Sequence, residues 1–178
     1  PNLQEKKTKF KLNPRINENP YLDNQLKQLE MQFNATKQRL QNKFGTKKFI
    51  VYFQSFTNTY APIATLKALY EKALSFENVI GLSIGTRTDC VTDEILDYLV
   101  DLSKDKEIWI EFGIQSFYDE TLVNINRGDT ADNMRYWIKR SKEKGLNVCG
   151  HLIYGLPKET QEMMLETFRQ TVELKVDS

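Results

Sequence analysis

Residues that bind metals or form disulfides are scarce in this sequence. Its 178 residues contain two cysteines, Cys90 and Cys149, and a single histidine, His151. Both cysteines lie on or beside apolar runs that we predict as core strands, which favours reduced thiols in the cytoplasm over a disulfide. The two cysteines cannot form a C-x-x-C metal site by themselves, so we assign no metal ligand.

Long apolar runs and a strong charge of either sign are missing too. No run approaches the ~20 apolar residues of a membrane-spanning helix, and no signal peptide opens the chain, so we expect no membrane partner and a cytoplasmic protein. The net charge of +1 indicates neither a nucleic acid nor a membrane surface as a partner. The composition, 40% hydrophobic and 28% charged, is typical of a soluble globular domain.

The first 20 residues are the least regular part of the chain. They are basic at first, contain Pro14 and Pro20, and show no sustained period. We predict a first strand over Thr8–Leu12, and we interpret the lysine-rich start as a solvated face that could also contact RNA. Residues 21–178 are predicted to form one core. Because the chain begins at Pro1 and stops just after a predicted helix, we interpret it as a piece of a longer protein.

From residue 21 onward, apolar strands alternate with amphipathic helices. The predicted strands are Lys48–Phe53, Val79–Ile84, Ile108–Phe112 and Asn147–Tyr154. The predicted helices are Tyr21–Phe44, one beginning at Pro62, one capped by Thr92, one beginning at Asp129 or Thr130, and one opened by Thr160 with Met164, Leu165, Phe168 and Val172 facing inward. Strand–helix units of this length indicate parallel βαβ topology. The sequence therefore predicts an α/β fold, either most of a (β/α) barrel or an open doubly wound sheet.

Polar motifs follow the last two predicted strands. Glu111–Ser116 (Glu-Phe-Gly-Ile-Gln-Ser) comes at the end of one, and His151–Pro157 (His-Leu-Ile-Tyr-Gly-Leu-Pro) at the end of the other, with Asn126-Arg127-Gly128 between them. In a parallel α/β protein the carboxyl ends of the strands form the rim of the active site. These motifs therefore predict a ligand site.

In this order and spacing, the motifs resemble the radical S-adenosylmethionine (radical SAM) superfamily, in particular the radical SAM domain of the Elongator catalytic subunit. Two further segments, Tyr52–Ala61 and Gly85–Cys90, are similar to the bacterial YhcC-like group, distant kin of oxygen-independent coproporphyrinogen oxidase. The resemblance covers about Asn19 to Asp177. It implies a partial (β/α)6 TIM-like barrel, incomplete in this chain.

The resemblance also implies an enzyme and its cofactors. Relatives cleave S-adenosylmethionine reductively, with a [4Fe-4S] cluster, to give a 5′-deoxyadenosyl radical that acts on a substrate, which this sequence does not identify. An electron donor such as flavodoxin or ferredoxin is expected as a partner. Alternatives are a tRNA-modifying enzyme like the Elongator relatives, or a cluster-free barrel that serves only as a binding module.

The sequence departs from the family at the cluster. Relatives hold the cluster with three cysteines in a C-x3-C-x2-C loop after the first strand, and neither Cys90 nor Cys149 can replace that triad. We therefore predict that these 178 residues bind no [4Fe-4S] cluster and have no radical activity. We also predict a gap or strong disorder between about Leu12 and Tyr21, with Thr8–Leu12 pairing beside Lys48–Phe53.

Five residues are implied as cofactor-binding: Glu111, Gln115, Arg127, His151 and Gly155. The matching glutamine in relatives lies beside S-adenosylmethionine, the matching arginine lies near its methionine or ribose end, and Gly155 is expected in a turn near the adenine. The alternative interpretations are an ion pair of Glu111 with a neighbouring Arg or Lys, a solvated Arg127, and a core histidine. We predict that Gln115, Arg127 and His151 converge on one face with Glu111 close below. No catalytic residue is assigned.

Overall fold

The computed structural model describes residues 21–54 and 56–178, which form a four-stranded parallel sheet with helices between the strands. The strands lie in the order β1-β2-β3-β4 and are β1 (Phe49–Phe53), β2 (Val79–Thr86), β3 (Glu107–Gln115) and β4 (Asn147–Leu152). The helices are α1 (Leu22–Phe44), α2 (Ile63–Leu74), α3 (Asp93–Ser103), α4 (Asp119–Asn124), α5 (Ala131–Glu143) and α6 (Gln161–Glu173), with a short 3-10 turn at Thr88–Cys90 after β2.

Three helices begin at a threonine whose hydroxyl caps the first turn. Thr92 accepts a hydrogen bond from the Ile95 N–H at 3.3 Å, and Thr130 and Thr160 do the same for α5 and α6 at 3.2 Å each. The cap therefore identifies Thr130, rather than Asp129, as the residue that starts α5. The predicted starts at Thr92 and Thr160 are confirmed.

The two faces of the sheet differ in what covers them. On one face, strand residues such as Leu82, Ile110 and Phe112 are fully buried and share one core with Leu66 of α2 and Met134 of α5. Because side chains alternate along a strand, the residues between them point to the other face. A doubly wound sheet has helices on both faces, whereas the strands of a barrel have helices on one face only. Because the core lies on one face of this sheet only, the sheet is part of a barrel and not a doubly wound sheet.

The other face of the sheet, which we call the open face, carries polar groups in register across the strands. Ser83 on β2 lies opposite Trp109, and Gly85 lies opposite Glu111 of β3. Glu111 in turn lies opposite Cys149 of β4, and Gly113 lies opposite His151. The register therefore places carboxylate, thiol, imidazole and hydroxyl groups on one surface, although β2 and β4 are far apart in the sequence.

The prediction for the inner face of the last helix is wrong. Leu165, Phe168 and Val172 are 43%, 50% and 56% exposed, whereas Thr167 and Thr171 are buried against the sheet. The Thr171 hydroxyl donates to the Thr167 carbonyl, and Thr167 Oγ1 accepts from a backbone N–H, so burial leaves neither hydroxyl unpaired. The small Thr171 side chain also fits beside Gly150 of β4, which has no side chain.

The residues after α6 lie along the edge of β4. The Asp177 N–H donates to the Val148 carbonyl at 2.8 Å, and the Gly150 N–H donates to the Ser178 carbonyl at 2.9 Å. The Asp177 carboxylate also accepts from the Val148 N–H at 2.8 Å and from Lys142 Nζ at 2.5 Å. These bonds extend the ladder beyond the fourth strand.

Several predictions concern residues 1–20, which lie outside the described part of the chain. They are the strand at Thr8–Leu12, its pairing with β1, the gap before Tyr21 and an RNA contact through the lysine-rich start. Among the helices that the structure describes, none combines the length and the apolar character that a membrane crossing requires.

Candidate functional site

A cavity of about 500 Å³ lies at the carboxyl ends of the strands, and we call it the strand-end cavity. Four of the five predicted site residues line it: Glu111, Gln115, Arg127 and His151. Gly155 does not line it; this glycine lies in the turn after β4 with φ +82°, and the space where a Cβ would lie is open. The volume is within the range of small-molecule sites, about 300–1,000 Å³.

Gln115 reaches the cavity through an irregular strand end. The register of β3 and β4 shifts between Gly113 and Gln115, so that Gln115 lies opposite Leu152. Gln115 has φ +68°, in the left-handed region that residues with a side chain rarely adopt. A bulge of this kind redirects the side chain that follows it. Backbone strain of this kind is found at functional sites more often than elsewhere.

Arg127 and Gln115 each have a buried polar atom without a partner. Arg127 Nη2 donates to the Gly113 carbonyl, but among the described residues neither Arg127 Nε nor Gln115 Oε1 has a hydrogen-bond partner. Arg127 forms no ion pair within the described residues, whereas Arg87 beside it forms a two-pronged pair with Asp89 at 2.8 and 2.9 Å. One donor and one acceptor therefore remain available in the same cavity.

Burial and charge act together on the guanidinium of Arg127. Burial lowers its pKa, and the positive charge of Arg87 lowers it further. Arginine nevertheless stays protonated in proteins. A half-buried, unpaired cation is costly unless an anion neutralises it. This part of the cavity is therefore suited to an anionic group.

Glu111 is the centre of a hydrogen-bond network on the open face. Its carboxylate accepts from the Tyr52 hydroxyl at 2.9 Å, contacts His151 Nε2 at 2.7 Å, and accepts a short bond from the Ser83 hydroxyl. Burial raises the pKa of Glu111, but the bonds from Ser83, His151 and Tyr52 outweigh burial, so the pKa lies below its ordinary value. The carboxylate is therefore held as an anion.

The alternative interpretations of these residues are not what the structure shows. Within residues 21–54 and 56–178, Glu111 pairs with His151 and not with an Arg or Lys. His151 is half exposed on the open face, so it is not a core histidine. The geometric prediction that Gln115, Arg127 and His151 lie on one face, with Glu111 below them, is confirmed.

Four contributors were not predicted from the sequence: Tyr52, Ser83, Gly113 and Cys149. Gly113 matters because a Cβ there would lie 2.9 Å from Gln115 Nε2 and 3.1 Å from Arg127 Nη2. The signal that could have identified Ser83 is its polar side chain inside an apolar strand. Tyr52 and Cys149 could be recognised only once the register of the strands was known.

Comparison with known proteins places this arrangement in a family. The model of the radical SAM superfamily matches residues 20–171. The chain is 36% identical over 156 residues to the uncharacterized protein YtqA of Bacillus subtilis, a match that covers 88% of this chain and 48% of YtqA. It is 42% identical over 133 residues to the protein YhcC of Escherichia coli, covering 74% of this chain and 43% of YhcC. The chain thus spans somewhat less than half the length of these curated relatives.

Two solved structures share the fold. Elp3 of the archaeon Methanocaldococcus infernus aligns with a TM-score of 0.65 at 23% identity, over 80% of this chain and 38% of Elp3. Coproporphyrinogen III oxidase (HemN) of Escherichia coli, described as a radical SAM enzyme, aligns with a TM-score of 0.62 at 21% identity, over 86% of this chain and 36% of HemN. The partial barrel predicted from the sequence is therefore confirmed as a fold.

Proposed function

The chain belongs to the radical SAM superfamily, and on that basis we propose that its strand-end cavity binds S-adenosylmethionine as part of a radical SAM enzyme. The observation that carries this proposal is the pair of unpartnered buried atoms, Arg127 Nε and Gln115 Oε1. S-adenosylmethionine offers a complement to each. Its methionine carboxylate accepts hydrogen bonds, and its ammonium and ribose hydroxyls donate them.

Each residue then has a distinct part in binding. Arg127 binds the carboxylate, because a guanidinium and a carboxylate form charge-assisted hydrogen bonds that are about twice as strong as neutral ones. Gln115 accepts a hydrogen bond from the ammonium or from a ribose hydroxyl. Glu111 supports the sulfonium cation with its negative charge, and His151 fixes the position of Glu111. Gly155 is retained as a proposed contact near the adenine.

The residues present suit one of the family's two cofactors, S-adenosylmethionine, but not the other, the [4Fe-4S] cluster. The unpartnered atoms of Arg127 and Gln115 support S-adenosylmethionine as the ligand, and when bound it would supply the 5′-deoxyadenosyl radical after one-electron reduction. The [4Fe-4S] cluster does not fit, because the family holds it with three thiolates and these 178 residues contain only Cys90 and Cys149. The substrate and the electron donor stay predictions.

Calorimetric titration of the chain with S-adenosylmethionine tests the proposal. We expect one molecule bound per chain and a loss of about 1–3 kcal/mol of binding free energy in Arg127→Ala, the usual contribution of a hydrogen bond to a charged group. Arg169→Ala is the matched control, since Arg169 is exposed on α6 and pairs with Glu162 and Glu166 of the same helix, away from the strand-end cavity. Absence of binding, or equal affinities in the wild type and Arg127→Ala, would contradict the proposal.

A longer form of the protein, tested for S-adenosylmethionine binding and cleavage, separates an enzyme from a binding module. These 178 residues lack the cluster ligands. Whether the protein is an enzyme or a binding module, we therefore expect this chain to bind S-adenosylmethionine without cleaving it under reducing conditions. Cleavage by a longer form that carries three further cysteines in a C-x3-C-x2-C loop would establish the enzyme. A longer form that binds the cofactor but lacks such a loop would establish the module.

A further inference from the structure

We propose that Glu111, Cys149 and His151 form a binding site for one divalent transition-metal ion, Zn²⁺ or Fe²⁺, on the open face of the sheet. This site is separate from a [4Fe-4S] cluster and goes beyond the proposed cofactor function. It is the one group of three or more potential ligands that the described residues bring together.

Strand register creates the cluster. Glu111 of β3 lies directly opposite Cys149 of β4, and His151 follows Cys149 by two residues, so all three side chains point to the same face. His151 Nε2 lies 2.7 Å from Glu111 Oε2 and 3.9 Å from Cys149 Sγ. All three ligand atoms lie within 4.8 Å of one another.

These separations suit a single ion. Zinc bonds to nitrogen and oxygen are about 2.0–2.2 Å and to sulfur about 2.3 Å. Ligands arranged tetrahedrally at such lengths lie roughly 3.3–3.8 Å apart. The sulfur–nitrogen separation is already close to this range. An ion bound between Oε2 and Nε2 would replace the Glu111–His151 hydrogen bond, and rotation of the half-exposed imidazole would widen their 2.7 Å separation.

The ligand set selects the class of metal. Thiolate and imidazole favour Zn²⁺, Fe²⁺, Co²⁺ and similar ions, whereas Mg²⁺ and Ca²⁺ prefer oxygen ligands throughout. Three protein ligands leave the fourth position open for water or a substrate group, as in catalytic zinc sites. His151 is half exposed, so an ion can enter from the open face.

Neighbouring residues orient the carboxylate as metal sites require. The hydroxyls of Ser83 and Tyr52 both donate to Glu111, whose side chain is only 15% exposed. Hydrogen bonds of this kind hold a ligand in place, and losing one typically weakens metal affinity about 10- to 100-fold. The carboxylate is thus already fixed before an ion arrives.

Titration of the metal-free chain with Co²⁺ tests the site directly. We expect one Co²⁺ per chain, with the near-ultraviolet absorption of a thiolate–cobalt bond, and displacement of this ion by Zn²⁺. Cys149→Ala should abolish the absorption. His151→Ala should weaken Co²⁺ binding by more than about 100-fold, which is more than the loss of a residue that only orients a ligand would cost. Cys90→Ser is the matched control, because Cys90 lies next to Asp89 rather than in the cluster.

A second readout uses the only histidine. Zn²⁺ should shift the imidazole NMR signals of His151, which need no assignment because the sequence has no other histidine. Circular dichroism confirms that each variant is folded, and Cys149→Ser replaces Cys149→Ala if the latter is not. Absence of the thiolate–cobalt band, its persistence in a folded Cys149 variant, or its loss in Cys90→Ser would each overturn the proposal.

The metal site and the cofactor site share Glu111 and His151, but Cys149 belongs to the metal site alone, so their failures can be told apart. Cys149→Ala removes a metal ligand but leaves the unpartnered atoms of Arg127 and Gln115 in place. We expect it to abolish Co²⁺ binding while S-adenosylmethionine affinity changes by less than twofold. Loss of cofactor binding in the wild type together with intact Co²⁺ binding would refute only the proposed function.

Discussion

Arg127 and Gly113 fit together because Gly113 has no side chain. Arg127 Nη2 donates to the Gly113 carbonyl, and a Cβ on Gly113 would lie 3.1 Å from the same nitrogen. The same Cβ would lie 2.9 Å from Gln115 Nε2. One missing methyl group therefore positions both residues that carry the unpartnered atoms of the cavity.

Gly113→Ala should weaken cofactor binding more than it weakens the fold. The added methyl displaces the ends of two flexible side chains, which costs the fold little, but it moves the guanidinium and the amide away from their positions in the cavity. We expect S-adenosylmethionine affinity to fall about tenfold, equivalent to about 1.4 kcal/mol. The free energy of unfolding should change by less than about 1 kcal/mol. Calorimetric titration and urea unfolding measure the two effects, and unchanged affinity would show that the glycine does not position these side chains.

Gln115→Gly and Gln115→Ala should differ in stability although both lose the same side chain. Gln115 has φ +68°, and a residue with a Cβ in the left-handed region is disfavoured by roughly 1–2 kcal/mol, whereas glycine is not. We expect the glycine variant to be about 1 kcal/mol more stable than the alanine variant in urea unfolding. Both should bind S-adenosylmethionine equally weakly. Equal stabilities would contradict a strained backbone at this position.

Met134→Ala should lower stability far more than Leu165→Ala. Met134 is fully buried in the core, so its truncation leaves a cavity and should cost about 2–5 kcal/mol. Leu165 is 43% exposed on α6, and we expect a change of about 0.5 kcal/mol or less there. Thermal melts monitored by circular dichroism compare the two. A large loss in Leu165→Ala would mean that α6 packs through the face predicted from the sequence.

Asp177→Asn should destabilise the chain in a pH-dependent way. Burial raises the pKa of Asp177, but the Lys142 ammonium and the Val148 N–H outweigh it and hold the pKa below its ordinary value of 3.8. A carboxylate with a lowered pKa stabilises the fold above its ordinary pKa and loses this contribution as the pH falls through its pKa in the folded state. We expect Asp177→Asn to be less stable by about 0.5–1 kcal/mol near neutral pH, because the pair is partly exposed. Urea unfolding at a series of pH values measures the stability difference between the wild type and Asp177→Asn, which should disappear well below pH 3.8. A difference that stays constant from neutral pH to this acidic range would contradict a lowered pKa at Asp177.

Reconstitution with iron and sulfide should not produce a [4Fe-4S] cluster on these 178 residues. Two cysteines are one fewer than the three thiolates that the family uses. Anaerobic reconstitution followed by iron counting and EPR of the reduced sample measures the result. A stoichiometric cluster whose EPR signal changes with S-adenosylmethionine would refute the prediction. A single iron ion without sulfide would instead match the site at Glu111, Cys149 and His151.

Sequence patterns alone were enough to locate the strands and most helices. Short apolar runs between turn residues identified the four strands to within a few residues, because a buried parallel strand excludes polar side chains from its core face. Threonine caps identified the starts of α3 and α6. The order of the motifs at Glu111, Arg127 and His151 identified the family, and parallel topology placed these residues at one end of the sheet.

Which side chains meet depends on how the strands and helices pack, and this could not be predicted from the sequence. The sequence could not show that Cys149 lies opposite Glu111, since register depends on the pairing of two strands, and these two residues are 38 positions apart in the chain. The inward face of α6 was predicted wrongly because hydrophobicity favoured Phe168, whereas the hydroxyls of Thr167 and Thr171 find backbone partners and their small size fits beside Gly150. The left-handed backbone of Gln115 likewise follows from the bulge, which is a property of two paired strands and not of either strand alone.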